Sequence, residues 1–364
     1  MRARASHGHR APARRAAAGA VTVVLAVPAC AAFDDSGSED AAGGASEAAA
    51  TVSGPDDIDL SGTTVRITVP PAEALLTTMY YMLDRLEGWG AELDVITITS
   101  TTGTQAILAG QADWVSAPSD ELILGAASGA DLVAVGSPRS TLDYVLAATT
   151  DIETPDDLVD RTMGMSGPAG FDALLSRIAL DRNDIEAEDV DFVQIGGSGE
   201  RAAALLAGRI DASTIILSDW LVLSNQTDDV HAVLTMSDVL DDFTKEALFA
   251  KRDYVEDNPD VALAVACANL EANAWFHDDP DAWVDLAVEN VPNISEEELH
   301  ELHATVTDMN MFPTQWQDLL PEGGMQALAD AMLDNGDIAQ DVDGEALVMR
   351  DFLEQAAGMG CGAS

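Results

Sequence analysis

Two hydrophobic rhythms alternate along most of this chain. Residues 63–69 (TTVRITV) alternate apolar and polar positions and are rich in β-branching, which predicts a strand, and Pro70 and Pro71 end it. Residues 72–87 change to helical spacing, and 93–98 return to a strand. Strand, helix and strand at this spacing predict a parallel pair joined by a crossover. The rhythm continues with strands at 114–117, 131–135 and 141–149, and a short capped helix at 152–158. A second set of strands follows at 162–165, 190–195, 212–217 and 231–236, and the strand at 247–251 is predicted to return to the first set. Beyond Asn258 the pattern is helical, at 258–278, 280–289 and 295–309, with two or three more helices to about Ala357.

One phrase occurs twice, LAGQAD at 108–113 and LAGRID at 206–211. Each reads as a helix end, a Gly that stops it in the left-handed conformation, a short turn, and an Asp that opens a strand. A Gly/Ser/Thr-rich loop precedes each copy and an apolar strand follows it. The repeat is too widely spaced for a solenoid and predicts two α/β lobes of similar construction. At 364 residues the chain is long enough to divide in this way. The expected lobes are 58–150 with 246–364, the latter carrying a helical C-terminal extension, and 151–245.

The N-terminus changes the picture of where this fold works. A basic stretch ends at Arg15, an apolar run covers 16–27, and small residues precede Cys30, so 1–29 reads as an export signal, too short to span a bilayer. The sequence Val27-Pro28-Ala29-Cys30 resembles a bacterial lipobox, with Cys30 as the lipidated residue. Pro28 departs from that pattern, and ordinary cleavage near Ala29 is the alternative. Residues 30–57 are mostly Ala, Gly, Ser and acid with little to bury, which predicts a disordered tether to the membrane.

Charge excludes one class of partner. The chain holds 64 acidic and 17 basic residues, a formal net charge of −47, and five of the basic residues fall in the first fifteen positions. Such a surface repels phosphate backbones, so no nucleic acid is expected. It suits solubility outside the cell, whether from halophily or from a high-GC source. Cys267 and Cys361 either pair, as export permits, or Cys267 is a buried free thiol in an apolar helix.

Several motifs carry less than they first offer. GGSGERAA at 196–203 nearly matches a dinucleotide fingerprint, but the repeat explains it as a tight turn into a helix. His300 and His303 in LHELH lack the HExxH spacing and read as a solvated face. No GxSxG elbow is present, and Cys267 has no evident base nearby in sequence. No catalytic residue, metal or cofactor is therefore expected.

Four segments together resemble a family: ILAGQADW, IETPDDLVDRTMGMSGPAGFDALL, LAGRIDAS and YVEDNPDVALAVACANLEANAWFHDDPDAW. They are similar to the extracytoplasmic substrate-binding proteins of ABC importers, in the group serving aliphatic sulfonates, taurine, nitrate and thiamine-precursor pyrimidines. The resemblance covers about 65–291. It implies a periplasmic-binding-protein clamp, α/β and two-lobed with two crossing segments, acting as a membrane-anchored monomer that delivers a small-molecule ligand to a permease and its ATPase. The alternatives are a pyrimidine-precursor biosynthetic enzyme on the same fold, as in yeast, or a ligand-sensing accessory lipoprotein.

The residues themselves point to the same place, because open parallel sheets bind ligands beyond the carboxyl ends of their strands. The candidates there are Pro70, Ser100, Thr101, Thr102, Ser116, Ser119, Ser166, Ser218 and Asp219, although Ser and Thr before a helix also serve as ordinary caps. Ser218 and Asp219 are expected to cap the helix after the 212–217 strand. Tyr80, Phe171 and Trp220 are candidate stacking walls, with Trp220 foremost, while Trp114 and Tyr144 suit a wall or the core equally. None of the loops contains an Arg, and Arg66 and Arg139 are the nearest in sequence. That tilts the expected ligand from sulfonate or nitrate towards a neutral or cationic nitrogenous compound such as a pyrimidine, held by Asp219 and stacking.

Overall fold

A computed structural model describes residues 53–98, 102–240, 243–291 and 294–363. The export signal, Cys30, most of the tether, Ser100 and Thr101 lie outside the described residues. Among the described residues, ten strands form two five-stranded sheets of one design. The strands are β1 (Thr64–Val69), β2 (Glu92–Thr97), β3 (Trp114–Pro118), β4 (Leu132–Gly136), β5 (Tyr144–Thr149), β6 (Thr162–Met165), β7 (Asp191–Gln194), β8 (Ala212–Ile216), β9 (Val230–Thr235) and β10 (Glu246–Lys251). The first sheet runs β2-β1-β3-β10-β4 and the second β7-β6-β8-β5-β9. In the first, β10 is antiparallel to both neighbours; in the second, β5 is.

This symmetry corrects one expectation. Tyr144–Thr149, assigned to the first lobe from sequence, pairs with β8 and β9 in the second sheet. The chain crosses between sheets at 137–143, before that strand, and crosses back ahead of β10. Each sheet thus takes its antiparallel strand from the segment that has just crossed. The return of 247–251 to the first set is as the pattern predicts.

Burial explains the strand patterns. β10, inside its sheet, is buried along all but its last residue, and β4, although at the sheet edge, is buried along its whole length because helices and the segment around Val348 cover it; both carry near-continuous apolar runs. At the opposite edges of the sheets, β2 and β7 keep partly or fully exposed positions throughout. Trp114, fully buried on β3, is core, with its ring edge-on to Tyr254 at 6.0 Å between centroids.

The twin phrases form matching joints. Gly110 and Gly208 have φ of 70° and 62°, the left-handed region in which glycine is least strained. Asp113 N–H donates to the Arg66 carbonyl at 2.8 Å, and Asp211 N–H to the Thr162 carbonyl at 2.8 Å. The Asp113 carboxylate holds Arg66 through Nε at 2.8 Å, and the Asp211 carboxylate accepts from Thr162 N–H at 2.9 Å. Both aspartates therefore start a strand against its neighbour.

The helix Pro259–Asp278 is apolar nearly all round and correspondingly buried. Cys267 on it forms a disulfide with Cys361 near the C-terminus. His303, expected on a solvated face, is instead buried: its Nε2 lies 2.8 Å from the Phe276 carbonyl oxygen and its ring stacks on Phe276. Its neighbours on the helix Glu296–Asp308 alternate, so Leu299, Leu302, His303 and Val306 share the inward face. No helix among the described residues is long and apolar enough to cross a membrane.

Candidate ligand-binding site

A cavity of about 640 Å³ is lined from both sheets and both crossing segments. From the first sheet come the loop after β1, with Pro70, Pro71, Ala72, Glu73 and Ala74, and Pro118 at the end of β3. The second sheet contributes Tyr144, Ser198, Ile216, Ser218, Asp219 and Val222. The crossings supply Arg139 and Lys245, the first residue of β10 supplies Glu246, and Val291 and Ile294 of the helical region complete the wall. Its volume is in the range of small-molecule sites, and it sits at the strand ends where the sequence placed it.

Of the expected residues, Pro70, Ser218 and Asp219 line the cavity. Ser218 and Asp219 do so from the first turn of the helix Leu217–Ser224 rather than as its cap, because β8 runs straight into the helix and Ile216 takes the capping position. The other described candidates have different work. Ser116 is buried and its hydroxyl donates to Glu246 Oε1 at 2.7 Å. Ser119 is fully buried, with its N–H donating to the Lys245 carbonyl at 3.0 Å. Ser166 N–H donates to Asp172 Oδ2 at 2.9 Å, and its hydroxyl donates to Oδ1 of the same carboxylate. Thr102 caps the helix Gly103–Leu108 by accepting from Gln105 N–H.

The aromatic expectations change more. Trp220 is half-buried against the apolar cluster that includes Phe276 and Phe312, and it does not line the cavity. Successive helix residues are rotated by about 100°, so Ser218, Asp219 and Val222 share the face towards the cavity and Trp220, about 200° round from Ser218, points away from it. Tyr80 packs on the main core, and Phe171 is buried edge-on to Tyr144 at 5.9 Å. Tyr144 is the ring that borders the cavity.

The floor is a buried ion cluster that no periodicity in the sequence announces. Arg139 Nε donates to Glu246 Oε2 at 2.8 Å, and its Nη1 reaches Glu73 Oε1 at 2.5 Å and Asp143 Oδ2 at 3.4 Å. Lys245 pairs with Asp143 and lies 5.4 Å from the centroid of the Tyr144 ring. Two cations thus face three carboxylates, and both crossing segments are tied together by them. Burial works against the charge on Arg139, but Glu246, Glu73 and Asp143 outweigh it and hold the guanidinium well above its ordinary value. Burial likewise disfavours the charged forms of Asp143 and Glu246, and the neighbouring cations reverse this and hold both carboxyls below their ordinary values. Lys245 is lowered by burial and then by Arg139, with the carboxylates offsetting part of that. The signal that points to this cluster in sequence is compositional: Lys245 is one of only two lysines, and it sits beside Glu246 where the chain returns to the first sheet.

Comparison with known proteins places these features in a family. The family described as NMT1/THI5 like matches residues 87–283. The formylaminopyrimidine-binding protein of Halalkalibacterium halodurans is 26% identical over 207 residues, which are 55% of this chain and 62% of that protein, so the match spans less than two thirds of the relative. The periplasmic aliphatic sulphonate binding protein SsuA from Escherichia coli superposes with a TM-score of 0.61 at 19% identity, covering 81% of this chain and all of its own (100%). The periplasmic nitrate-binding protein NrtA from Synechocystis PCC 6803 gives a TM-score of 0.63 at 14% identity, over 81% of this chain and 88% of its own. These structures share the two-lobed α/β periplasmic-binding-protein fold with the present chain, and the family match extends over more than half of it. The chain belongs to the NMT1/THI5-like family.

Proposed function

We propose that this protein is the extracytoplasmic solute-binding component of an ABC importer, capturing a small ligand between its two lobes and handing it to the permease. The observation that carries this is the cavity of about 640 Å³ walled by both sheets and floored by both crossings. A ligand seated there touches both lobes only when they approach, so it shifts the population towards the closed form. The role requires no covalent step.

Within the sulfonate, nitrate and pyrimidine ligand classes, a nitrogenous ligand fits this floor better than an anion. Arg139 and Lys245 are the basic residues lining the cavity, and both are already engaged by buried carboxylates. Arg66 is held at the first joint by Asp113 and the Gly110 carbonyl. A partly buried anion without a free cationic partner carries a large desolvation cost. The name of the Halalkalibacterium relative supports the same class. The expected division of labour places the ligand contacts at Pro70, Ser218 and Asp219, with Cys30 lipidated, residues 30–57 as the tether and the protein working as a monomer.

The test is a thermal-shift panel of aminopyrimidines, alkanesulfonates, taurine and nitrate, since a ligand that binds only the folded state raises the melting temperature. An aminopyrimidine shift of several degrees with none from the anions is the expected result. A shift from sulfonate alone would overturn the ligand class, and none from any compound would overturn the binding role for this group of ligands.

A further inference from the structure

Two carboxylates reach the cavity from opposite lobes and differ from the other acids around it. Glu73 stands in the loop after β1 of the first sheet, and Asp219 in the helix turn after β8 of the second. Asp143 and Glu246 are buried and consumed within the ion cluster. Glu73 is only half committed: Oε1 holds Arg139 at 2.5 Å, while Oε2 has no hydrogen-bond or ion-pair partner among the described residues. Asp219 has neither kind of partner among the described residues.

The cations that line the cavity are already paired, so bringing the lobes together confines two incompletely neutralised carboxylates in one shrinking, increasingly water-poor space. Like charges in such a space repel far more strongly than in bulk water. We propose that Glu73 and Asp219 are the charge-selective jaws of the clamp, so that closure requires a ligand bearing a positively charged nitrogen between them. A cation there converts the opposing repulsion into two charge-assisted hydrogen bonds, one to each lobe. A neutral ligand of the same shape leaves the repulsion in place, and an anion adds to it. Because the second oxygen of Glu73 is free while the first binds Arg139, a cation seated on Glu73 also bears on the group that ties the two crossings together. This selectivity rests on the binding role proposed above and specifies it further.

The experiment compares two probes that differ mainly in charge, a 4-aminopyrimidine with an aminomethyl substituent and the same ring with a hydroxymethyl substituent. Calorimetric titration of the full chain is expected to show at least about tenfold tighter binding of the aminomethyl probe, corresponding to one charge-assisted bond gained. In Asp219→Asn, whose side chain is partly exposed and has no structural partner, that preference should fall several-fold; Glu73→Gln should act in the same direction, and the double variant should bring it to within about twofold. Small-angle scattering of the ligand-free protein supplies a readout independent of any ligand: Asp219→Asn should have a smaller radius of gyration than the parent. An unchanged probe preference in a folded Asp219→Asn protein overturns the proposal. If neither probe binds the parent, the pyrimidine reading fails, and scattering then decides the jaws, because an unchanged radius in Asp219→Asn overturns them as well.

Discussion

Asp120 lies in the first turn of the helix Ser119–Ala127, where the helix dipole favours a carboxylate, yet its side chain is buried and its Oδ1 has no hydrogen-bond partner among the described residues. Burial, and then the neighbouring charge of Glu121, push its carboxyl up to about 7. The folded protein therefore holds this proton over a range in which the unfolded chain has released it. Stability contributed by the protonated form is complete below the ordinary carboxylate value and is lost as pH rises towards 7, levelling off above it. The loss amounts to about 4 kcal/mol on the full shift. Urea unfolding at pH 5, 6, 7 and 8 should show this decline in the parent and a flatter profile in Asp120→Asn, which keeps the shape without the charge. Equal slopes in the two proteins would remove Asp120 as the source.

At the scale of elements, the disulfide decides whether the C-terminal segment stays on the central helix. Cys361, 94 residues beyond Cys267, follows the helix Asp351–Gly358, whose Leu353 and Ala356 are buried alongside the helix Pro259–Asp278. Closing so long a loop removes unfolded-state entropy worth about 4.7 kcal/mol. Cys361→Ser is expected to lower the melting temperature by several degrees in non-reducing buffer and to abolish its sensitivity to dithiothreitol. A variant that melts with the parent would show the segment to be held by packing alone. These elements also mark what was legible beforehand. The strands and the twin joints could be read from alternation and from Gly110 and Gly208, because local chemistry dictates them. The sheet that Tyr144–Thr149 joins was not legible, since an apolar strand reads alike in either sheet. The cavity divided in the same way: strand-end logic reached Pro70, Ser218 and Asp219, which line it, while Arg139, Asp143 and Lys245 on the crossings and Glu246 at the start of β10 have partners set only by the tertiary fold.

For the whole molecule, charge is the term that no single contact describes. The formal net charge is −47, and most basic side chains of the folded region are engaged in ion pairs such as Arg66–Asp113, Arg85–Glu271 and Arg177–Asp337. The last of these joins a helix of the second sheet's layer, Phe171–Asp181, to the segment after Gly324–Asp334, which packs on the helix Ser119–Ala127 of the first. The remaining carboxylates are mostly exposed and repel one another more in the compact state than in the expanded chain. Salt screens that long-range repulsion once the Debye length falls below the spacing of surface charges, from about 14 Å near 0.05 M to about 3 Å at 1 M. It weakens the largely buried ion pairs between the two crossings much less, because little water or salt surrounds them. The two effects have opposite signs, and the number of exposed acids decides between them. The melting temperature is therefore expected to rise by several degrees between about 0.05 M and 1 M sodium chloride, and by a similar amount in potassium chloride. A fall over that range would mean that short-range ion pairs, including Arg177–Asp337, dominate stability instead. A rise in one salt and not the other would point to specific cation binding rather than screening.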